Sequence, residues 1–587
     1  MKHEILWFPE RGWIRDKYGR IRILRGCSVC AGDTSLEKAP EVYGRPFPEE
    51  QADEHFMRLK RAGCTFLRWC ITWDSVEHLG PGEYDEDYLA YVRRLLKKAE
   101  EYDITVIISP VMHAWCSATG GAGAPEWTLK KLGFNLNRLK ESGAVASDNS
   151  FPMQNYQLYA CMTMYTLFFA GNTFAPHCKI DGTPVQEYLQ ECYTEMLYHV
   201  ARRLKDCDAI AGIEMFCEPW RGYIGLADLN EYDEPLSQYG TFSTPFNGMK
   251  AASGFSVPFK KVEHGLLFKR KESEFTVNAN VEHRKPLFEE GFSCPWMAEG
   301  VWHIENGQPV MDKPFYFSGK DGKSVDFADS YLKPFYKDVI AALQKKHPEY
   351  MFFSPLPLGG SDAAGIWNTQ QDEEAFSIVE SLAFYAETSA GENAAEAFDE
   401  KLEKLALSAK KTGIPGYAAE FGVDFSGAKK AKKDSDKKQE QLLGQYFDSL
   451  DKYMLSSSLW NYTPACTLEN SDGNMGYSVF CSDIHDFRAA KGFIRPYAMA
   501  VAGVPVKMTF TAEPAPEFVF EWDSIECPAA SGECDTEIFL PKIWFPNGWK
   551  VERFDGVGAL REVPEEQKLF IKTLEARRCL VKIIGNC

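Results

Sequence analysis

The feature that most constrains this chain is an alternation. Short apolar, β-rich runs recur along it with helical segments between them, at IRILRGCSV (21–29), TFLRW (65–69), ITVIISP (104–110), AIAGIEMFCE (209–218), YMFFSPL (350–356), GYAAEFG (416–422) and SSLWNYT (457–463). Helical periodicity fills the intervals at EEQADEHFMRLKRAG (49–63), EDYLAYVRRLLKKAEEY (86–102) and VQEYLQECYTEMLYHVARRLK (185–205). Strand followed by helix followed by strand dictates a parallel sheet with helical crossovers. With an eighth strand in AFSIVESLAFY (375–385), the number fits a closed (β/α)8 barrel better than an open sheet. Arg68, Trp69, Glu218, Glu420 and Trp460 then fall at strand ends, where the active sites of such barrels lie.

Two stretches depart from this rhythm. Residues 231–330 are rich in Gly, Pro and aromatics and lack the repeat, which suits a long insertion in a βα loop that walls or roofs the mouth. After GFIRPYAMAVAGVP (492–505) the chain turns to short strands with Pro and Gly turns, the pattern of a C-terminal β-sandwich. The expected division is therefore a barrel over 1–504, carrying the 231–330 insertion, and a β-sandwich over 505–587. The Lys-rich stretch 428–440 reads as an exposed helix or loop.

Composition excludes several classes of function. A formal charge of −19 argues against a nucleic acid partner, whose binding draws on clustered cations. No apolar run approaches the roughly 18 residues of a membrane span. The opening MKHEILWFPERGWIRDKYGR has charges throughout and does not read as a secretory signal, so a cytoplasmic protein is expected. Seventeen scattered cysteines suit free thiols better than a disulfide scaffold. The lone CxxC at Cys27 and Cys30 has no second CxxC or His pair to complete a zinc site, so neither metal nor cofactor is implied.

Glu218 and Glu420 carry the chemistry. Cleavage of a glycosidic bond needs two carboxyl groups at one mouth, one to protonate the departing oxygen and one to attack or to activate water. Glu218 closes an apolar run and precedes Pro219, which stops ladder pairing and turns the chain outward. Glu420 lies between small residues and Gly422, which would let the backbone pass close to a bound ring. A glutamate at the end of an apolar strand is a poor choice for mere solvation, and here there are two.

The run 44–92 (GRPFPEEQ…DYLAYV) resembles the first barrel units of glycoside hydrolase family 5, in particular the endoglycoceramidase-related β-glucosidases that act on glucosylceramide and steryl glucosides. TGGAGAPEWT (119–128), TMYTLFFAGNTFAP (163–176), EPWRGYIG (218–225), CPWMAEGVW (294–302), AEFGVDF (419–425), LWNYTP (459–464) and RAAKGFIRPYAMAVAG (488–503) extend the likeness over most of the chain. By this resemblance Glu218 is the acid/base, Glu420 the nucleophile, Arg68 the arginine that supports the nucleophile, and Trp460 an aromatic platform. The implied substrate is a small-molecule glycoside or a glycolipid.

The departures are as informative. Where the family has an Asn that bonds the sugar 2-hydroxyl, this chain has Cys217. The family's His after the third strand is replaced by Val111, with His113 two residues on and Trp115 beyond it as candidate sugar contacts. No His lies between His347 and His485, so the His-x-Tyr pair after the sixth strand is reduced to Tyr385 as the counterpart of its tyrosine. Trp127, Trp220, Trp296 and Trp302 sit in loops and could stack on a sugar or an aglycone.

Two readings from different classes follow. One is a retaining β-glycosidase with carboxyl groups about 5–5.5 Å apart, Arg68 in salt-bridge reach of Glu420, and Glu218 holding its proton through a raised pKa. The other is a carbohydrate- or glycolipid-binding protein on the same barrel, impaired in turnover by the lost Asn and His.

Overall fold

The computed structural model describes residues 7–31, 44–148, 152–233, 239–264, 270–280, 286–320, 323–359, 365–367, 372, 377–384, 393–425, 436–469, 476–524, 534–573 and 575–586. Eight parallel strands close into a barrel. We number them β1 (Arg25–Val29), β2 (Phe66–Thr72), β3 (Thr105–Val111), β4 (Ile210–Glu214), β5 (Met351–Pro355), β6 (Ile378–Phe384), β7 (Gly416–Phe421) and β8 (Ser456–Tyr462). Five fall within the apolar runs expected from the sequence, while β2, β3 and β8 overlap theirs and extend past them by one to three residues. The helix register also follows the expected periodicity at Ala52–Arg61, Glu86–Glu101 and Val185–Arg203.

Parallel strands covered on both faces are buried along their length, and β2, β4, β5, β7 and β8 have no exposed residue. The lower lumen is filled by Leu24, Phe66, Ile107, Ala211, Met351, Phe353, Val379, Tyr417 and Ala419, and Ile14 closes its base. Side chains two residues further along a strand point into the same lumen one layer higher. Arg68 follows Phe66 in this way and Ser109 follows Ile107, so both stand directly above the apolar plug.

Two register shifts re-aim the acids. Along β3, Val106 pairs with Ile210 and Ile107 with Gly212, so β4 carries one extra residue at Ala211. Along β6, Leu382 pairs with Ala418 and Ala383 with Glu420, so β7 carries one extra at Ala419. A bulge of this kind lets consecutive residues face the same side. Ala419 and Glu420 both reach the lumen as a result, and Glu214 is brought inward by the same device.

The helix Tyr159–Phe174 is not evident from periodicity. It is apolar on every side and is almost entirely buried, so it shows no amphipathic stripe. No described helix is long and apolar enough to cross a membrane.

Within 231–330 lies a three-stranded antiparallel sheet (Gly240–Phe242, Val257–His264, Arg270–Val277) and a hairpin (Trp302–Glu305 with Gln308–Met311). The insertion packs on the segment after Glu218: the Tyr223 ring lies 5.1 Å from Phe317 and 5.5 Å from Trp296. Of the Lys-rich 428–440, only the part from Asp436 is described, and it opens the helix Lys437–Tyr453.

The C-terminal region forms two facing sheets. One has the order β10 (Gly503–Thr511), β11 (Glu517–Ser524), β16 (Arg578–Gly585), β13 (Trp549–Asp555). The other contains β9 (Tyr497–Val501), β12 (Thr536–Phe539), β15 (Lys568–Lys572) and β14 (Ala559–Val563), extended by three strands from the N-terminus, Trp7–Glu10, Trp13–Asp16 and Ile21–Arg22. Phe518, Phe520, Trp522, Ile538, Leu569, Ile571, Val581 and Ile583 fill the space between the two. The sequence division assigned the N-terminal strands to the barrel, because a two-residue strand such as Ile21–Arg22 has no pattern of its own. Arg20 ties them to the sandwich through Asp16 and Glu537, each at 2.8 Å. The described cysteines are free thiols except Cys534, which is disulfide-bonded and corrects the expectation for that position.

Candidate active site

The upper lumen is organised around Arg68, which is fully buried. A buried guanidinium needs carboxylate partners, and it has two. Its Nη1 lies 2.5 Å from Glu420 Oε1, while Nε and Nη2 reach Glu214 Oε2 at 3.0 and 2.5 Å. Ser109 donates to the same oxygen of Glu214, and Nη1 also lies 3.5 Å from Ser28 Oγ. Burial alone would lower the Arg68 pKa, but the two carboxylates push it well above its ordinary value, so the cation is permanent. Glu214 was missed at the sequence level. The rule that flagged Glu218 and Glu420, an acid within an apolar run, applies equally to GIEMF (212–216) and would have found it.

Cys217 does not reach outward as the family Asn would. Its thiol accepts from Arg68 Nη2 at 3.2 Å and donates to Glu420 Oε1 at 3.4 Å. Burial holds its pKa well above that of a free thiol, so it remains protonated and keeps the hydrogen it donates.

Glu218 lies four residues past the end of β4, not at its terminus as the sequence suggested. The ladder is prolonged only by the amide of Met215, which donates to Phe353 O at 2.9 Å. Glu218 itself has φ 49°, a left-handed backbone that costs a side chain with a Cβ roughly 1–2 kcal/mol. The carboxyl is compensated locally. His113 Nδ1 lies 2.9 Å from Oε2, and the Tyr156 hydroxyl donates to the same oxygen. The Tyr156 hydroxyl also lies 3.3 Å from His113 Nδ1.

The expectation of a raised pKa for Glu218 is overturned. Burial pushes it up, but the charge of His113 and the hydrogen bonds from His113 and Tyr156 outweigh burial, and the net shift is downward. For His113 burial pulls down, and the attraction of Glu218 and, more weakly, Glu420 reverses it to a net rise. The two shifts agree on one picture, an imidazolium paired with a carboxylate.

Trp460 is brought to the site: its ring lies 5.9 Å from the Arg68 guanidinium and packs with Cys30, Cys70, Val111 and Tyr477. Trp115 is not. It is fully buried, its indole donates to Thr128 Oγ1 at 3.0 Å, and its ring abuts Tyr165 at 5.3 Å, so it anchors the loop after β3 and is no sugar contact. Trp296 and Trp302 are fully buried as well. Trp127 and Trp220 are nearly so, and their indoles donate to the carbonyls of Glu77 and Tyr156. Tyr385 lies outside the described residues. Gly422 makes its close approach within the protein, since a Cβ there would meet Trp460 O at 2.2 Å.

The mouth thus holds two carboxylates with contrasting partners. Glu420 is bound to a permanent cation and a thiol, and Glu218 to a titratable imidazole and a phenol. Tyr156, within PMQNYQ (152–157), has no sequence signal that would single it out.

Comparison with known proteins agrees with this architecture. Residues 495–582 match the glycoside hydrolase family 5 C-terminal domain. A glucosylceramidase of Rhizopus delemar is 29% identical, over 95% of this chain and 92% of the relative. The structure superposes on Cryptococcus neoformans sterylglucosidase 1 with a TM-score of 0.86 at 21% identity, covering 99% of this chain and 97% of that one. It also superposes on endo-glycoceramidase II from Rhodococcus sp., solved as a lactosyl-enzyme intermediate, with a TM-score of 0.60 at 17% identity over 98% and 100% of the two chains. The chain is thus a glycoside hydrolase that ends in a family 5 C-terminal domain and is similar over nearly its whole length to glucosylceramidases.

Proposed function

We propose that this protein is a retaining β-glycosidase whose substrate is a glucosylceramide-like glycolipid or a steryl β-glucoside. The observation that carries the mechanism is the contrast between the two carboxylates. The Arg68 contact at 2.5 Å keeps Glu420 anionic and fixed, as a nucleophile must be, while Glu218 shares its proton economy with His113. The substrate class rests on the names of the glucosylceramidase and sterylglucosidase relatives.

In the first step Glu420 Oε attacks the anomeric carbon. The bond to the aglycone oxygen breaks, and that oxygen takes a proton through Glu218, leaving a glycosyl ester on Glu420. Because Glu218 and His113 interact strongly, the one proton belongs to the pair: the reactive form carries it on Glu218 Oε1 with His113 neutral, and that Oε1–H protonates the departing oxygen as the bond to the anomeric carbon breaks. In the second step Glu218 takes a proton from water, the resulting hydroxide displaces Glu420, and the sugar leaves with retained configuration.

The test is trapping with a 2-deoxy-2-fluoro-β-glucoside bearing a good leaving group, alongside turnover assays on aryl β-glycosides, glucosylceramide and a steryl glucoside. A covalent mass increment located on Glu420 and release of glucose are expected. A label on another residue sinks the assignment of roles. No turnover of any glycoside favours a carbohydrate-binding protein on the same barrel.

A further inference from the structure

The two bonds that the structure gives the Glu218 carboxyl both end on Oε2, one from His113 Nδ1 and one from the Tyr156 hydroxyl. Among the described residues, Oε1 takes none. The two donors come from different places in the chain, His113 just beyond β3 and Tyr156 in the turn Pro152–Gln157 that leads into the helix Tyr159–Phe174.

Both donors are themselves held. The carbonyl of Tyr156 accepts from the Trp220 indole at 3.0 Å, and its ring stacks near Tyr165 at 5.9 Å. The imidazole packs edge-on against Tyr156, with centroids 5.4 Å apart, and the His113 amide and carbonyl both bond Ala122, at 2.7 and 2.8 Å. Trp220 follows Glu218 by two residues, so the turn that carries Tyr156 is pinned to the segment that carries the acid. Two fixed donors on one oxygen determine the plane of a carboxyl group, which a single bond does not.

We propose that Tyr156, together with His113, is a positioning residue for the acid/base Glu218: the two donors on Oε2 orient the carboxyl and leave Oε1 to meet the departing oxygen. This rests on the retaining mechanism proposed above. Tyr156 acts through Glu218 and touches no reacting atom. The arrangement also sets the titration of Glu218. The groups that act on it are His113 after β3, Tyr156 in its turn and Arg68 on β2. Tyr165 of the packed helix, Cys217 and, through His113, Glu420 feel or share the same field. Both Oε2 donors favour the ionised carboxyl, so removing either one raises the pH at which Glu218 takes a proton.

The experiment uses the full chain as wild type, Tyr156→Phe and His113→Gln. The Glu218 carboxyl is followed by carbon NMR of glutamate labelled at the side-chain carboxyl, with Glu218→Gln identifying the resonance. Glu218 is expected to titrate below the usual carboxylate range in the wild type and at higher pH in each variant. On a glycoside with a poor leaving group, kcat should fall about tenfold or more in Tyr156→Phe, part of the roughly 10²–10⁴-fold that a positioned acid supplies. KM should hold, and an activated aryl glycoside should be hydrolysed with a much smaller loss. A Glu218 titration unmoved in both variants overturns the proposal. So does a loss of kcat that is the same for good and poor leaving groups, which is what a merely structural role would give. If one variant does not fold, the other carries the same readouts. If the wild type turns over no glycoside, the mechanism fails, while the titration still decides whether Tyr156 and His113 govern Glu218.

Discussion

Arg68 and Glu420 meet at 2.5 Å in the floor of the barrel mouth, with side chains only 1% and 4% exposed. An ion pair so placed has lost nearly all its hydration, and its stability depends on both partners being present. Glu214 shares the guanidinium, so three formal charges occupy one dry layer above the apolar plug.

Arg68→Met should therefore be severely destabilising. It leaves two buried carboxylates without a cation, and breaking such a cluster from one side costs roughly 3–5 kcal/mol. Urea denaturation at neutral pH, comparing wild type with variant, measures the difference. A loss below about 1 kcal/mol would mean that water enters the layer and that the cluster is not dry.

The His113–Glu218 pair predicts a window of pH. Glu218 has its folded pKa below the ordinary 4.5, so its contribution is complete above 4.5 and is lost as pH falls through the lowered folded value. His113 has its folded pKa above the ordinary 6.5, so its contribution is complete below 6.5 and is lost as pH rises through the raised folded value. The pair stabilises most between those two ordinary values. The stability difference between wild type and His113→Gln should peak at about pH 5–6 and shrink towards about pH 9. A difference that is flat over that range contradicts the pairing.

A buried histidine elsewhere has the opposite sign. His55 is pulled down to about 4, chiefly by burial and then by the charge of Arg58, and its Nδ1 faces the Tyr462 hydroxyl at 2.7 Å. A group that folds neutral gives stability above its unfolded pKa of 6.5 and loses it as pH falls towards about 4. Acid should thus weaken the contact between the helix Ala52–Arg61 and the end of β8 before the bulk of the barrel responds. Hydrogen exchange at pH 5 against pH 7, in wild type and His55→Gln, should show faster opening of that helix in the wild type alone.

How much of this was legible in the sequence differs by residue. The eight strands could be read because strands buried on both faces are written as apolar runs. The helix Tyr159–Phe174 was hidden for the same reason, since a segment buried on all sides has no stripe. An acid in an apolar strand pointed to Glu420 and would have pointed to Glu214, but it also fits Glu380, which faces outward to Ser408 and Trp367 and is raised to about 7 by burial. Only the bulge at Ala419 separates an inward acid from an outward one, and a bulge is a property of pairing between strands. Tyr156 was invisible because its role depends on a turn folded over the mouth from another loop.

Gly422→Ala tests whether the floor tolerates displacement. The new Cβ would lie 2.2 Å from Trp460 O, a backbone atom that cannot swing aside. Either β7 or β8 must move, and Glu420 lies two residues away on β7. A shift of about 1 Å at the proposed nucleophile can cost roughly 10²-fold in rate, so kcat should fall by that order while the circular dichroism of the barrel persists. Unchanged kcat would show that the two strands can part without moving the carboxylate.

The last prediction concerns Cys217. The family Asn at this position serves the sugar 2-hydroxyl, whereas here the protonated thiol is spent on Glu420 Oε1 and on Arg68. A thiol is a weak donor, so it restrains Glu420 only slightly and offers the sugar nothing that strengthens in the transition state. On an ordinary β-glucoside, Cys217→Asn should therefore raise kcat/KM, by analogy with the roughly 10²–10³-fold worth of one preorganised donor. The larger amide must fit a fully buried position, so the gain should come with a small loss of stability. Cys217→Ser separates the two effects, because a hydroxyl can replace the bond to Glu420 but does not extend to the sugar. Its activity should stay near that of the wild type. If instead Cys217→Asn loses activity on a glucoside and on a 2-acetamido analogue alike, the thiol belongs to the working geometry of Glu420, and the site has exchanged a sugar contact for a contact with that carboxylate.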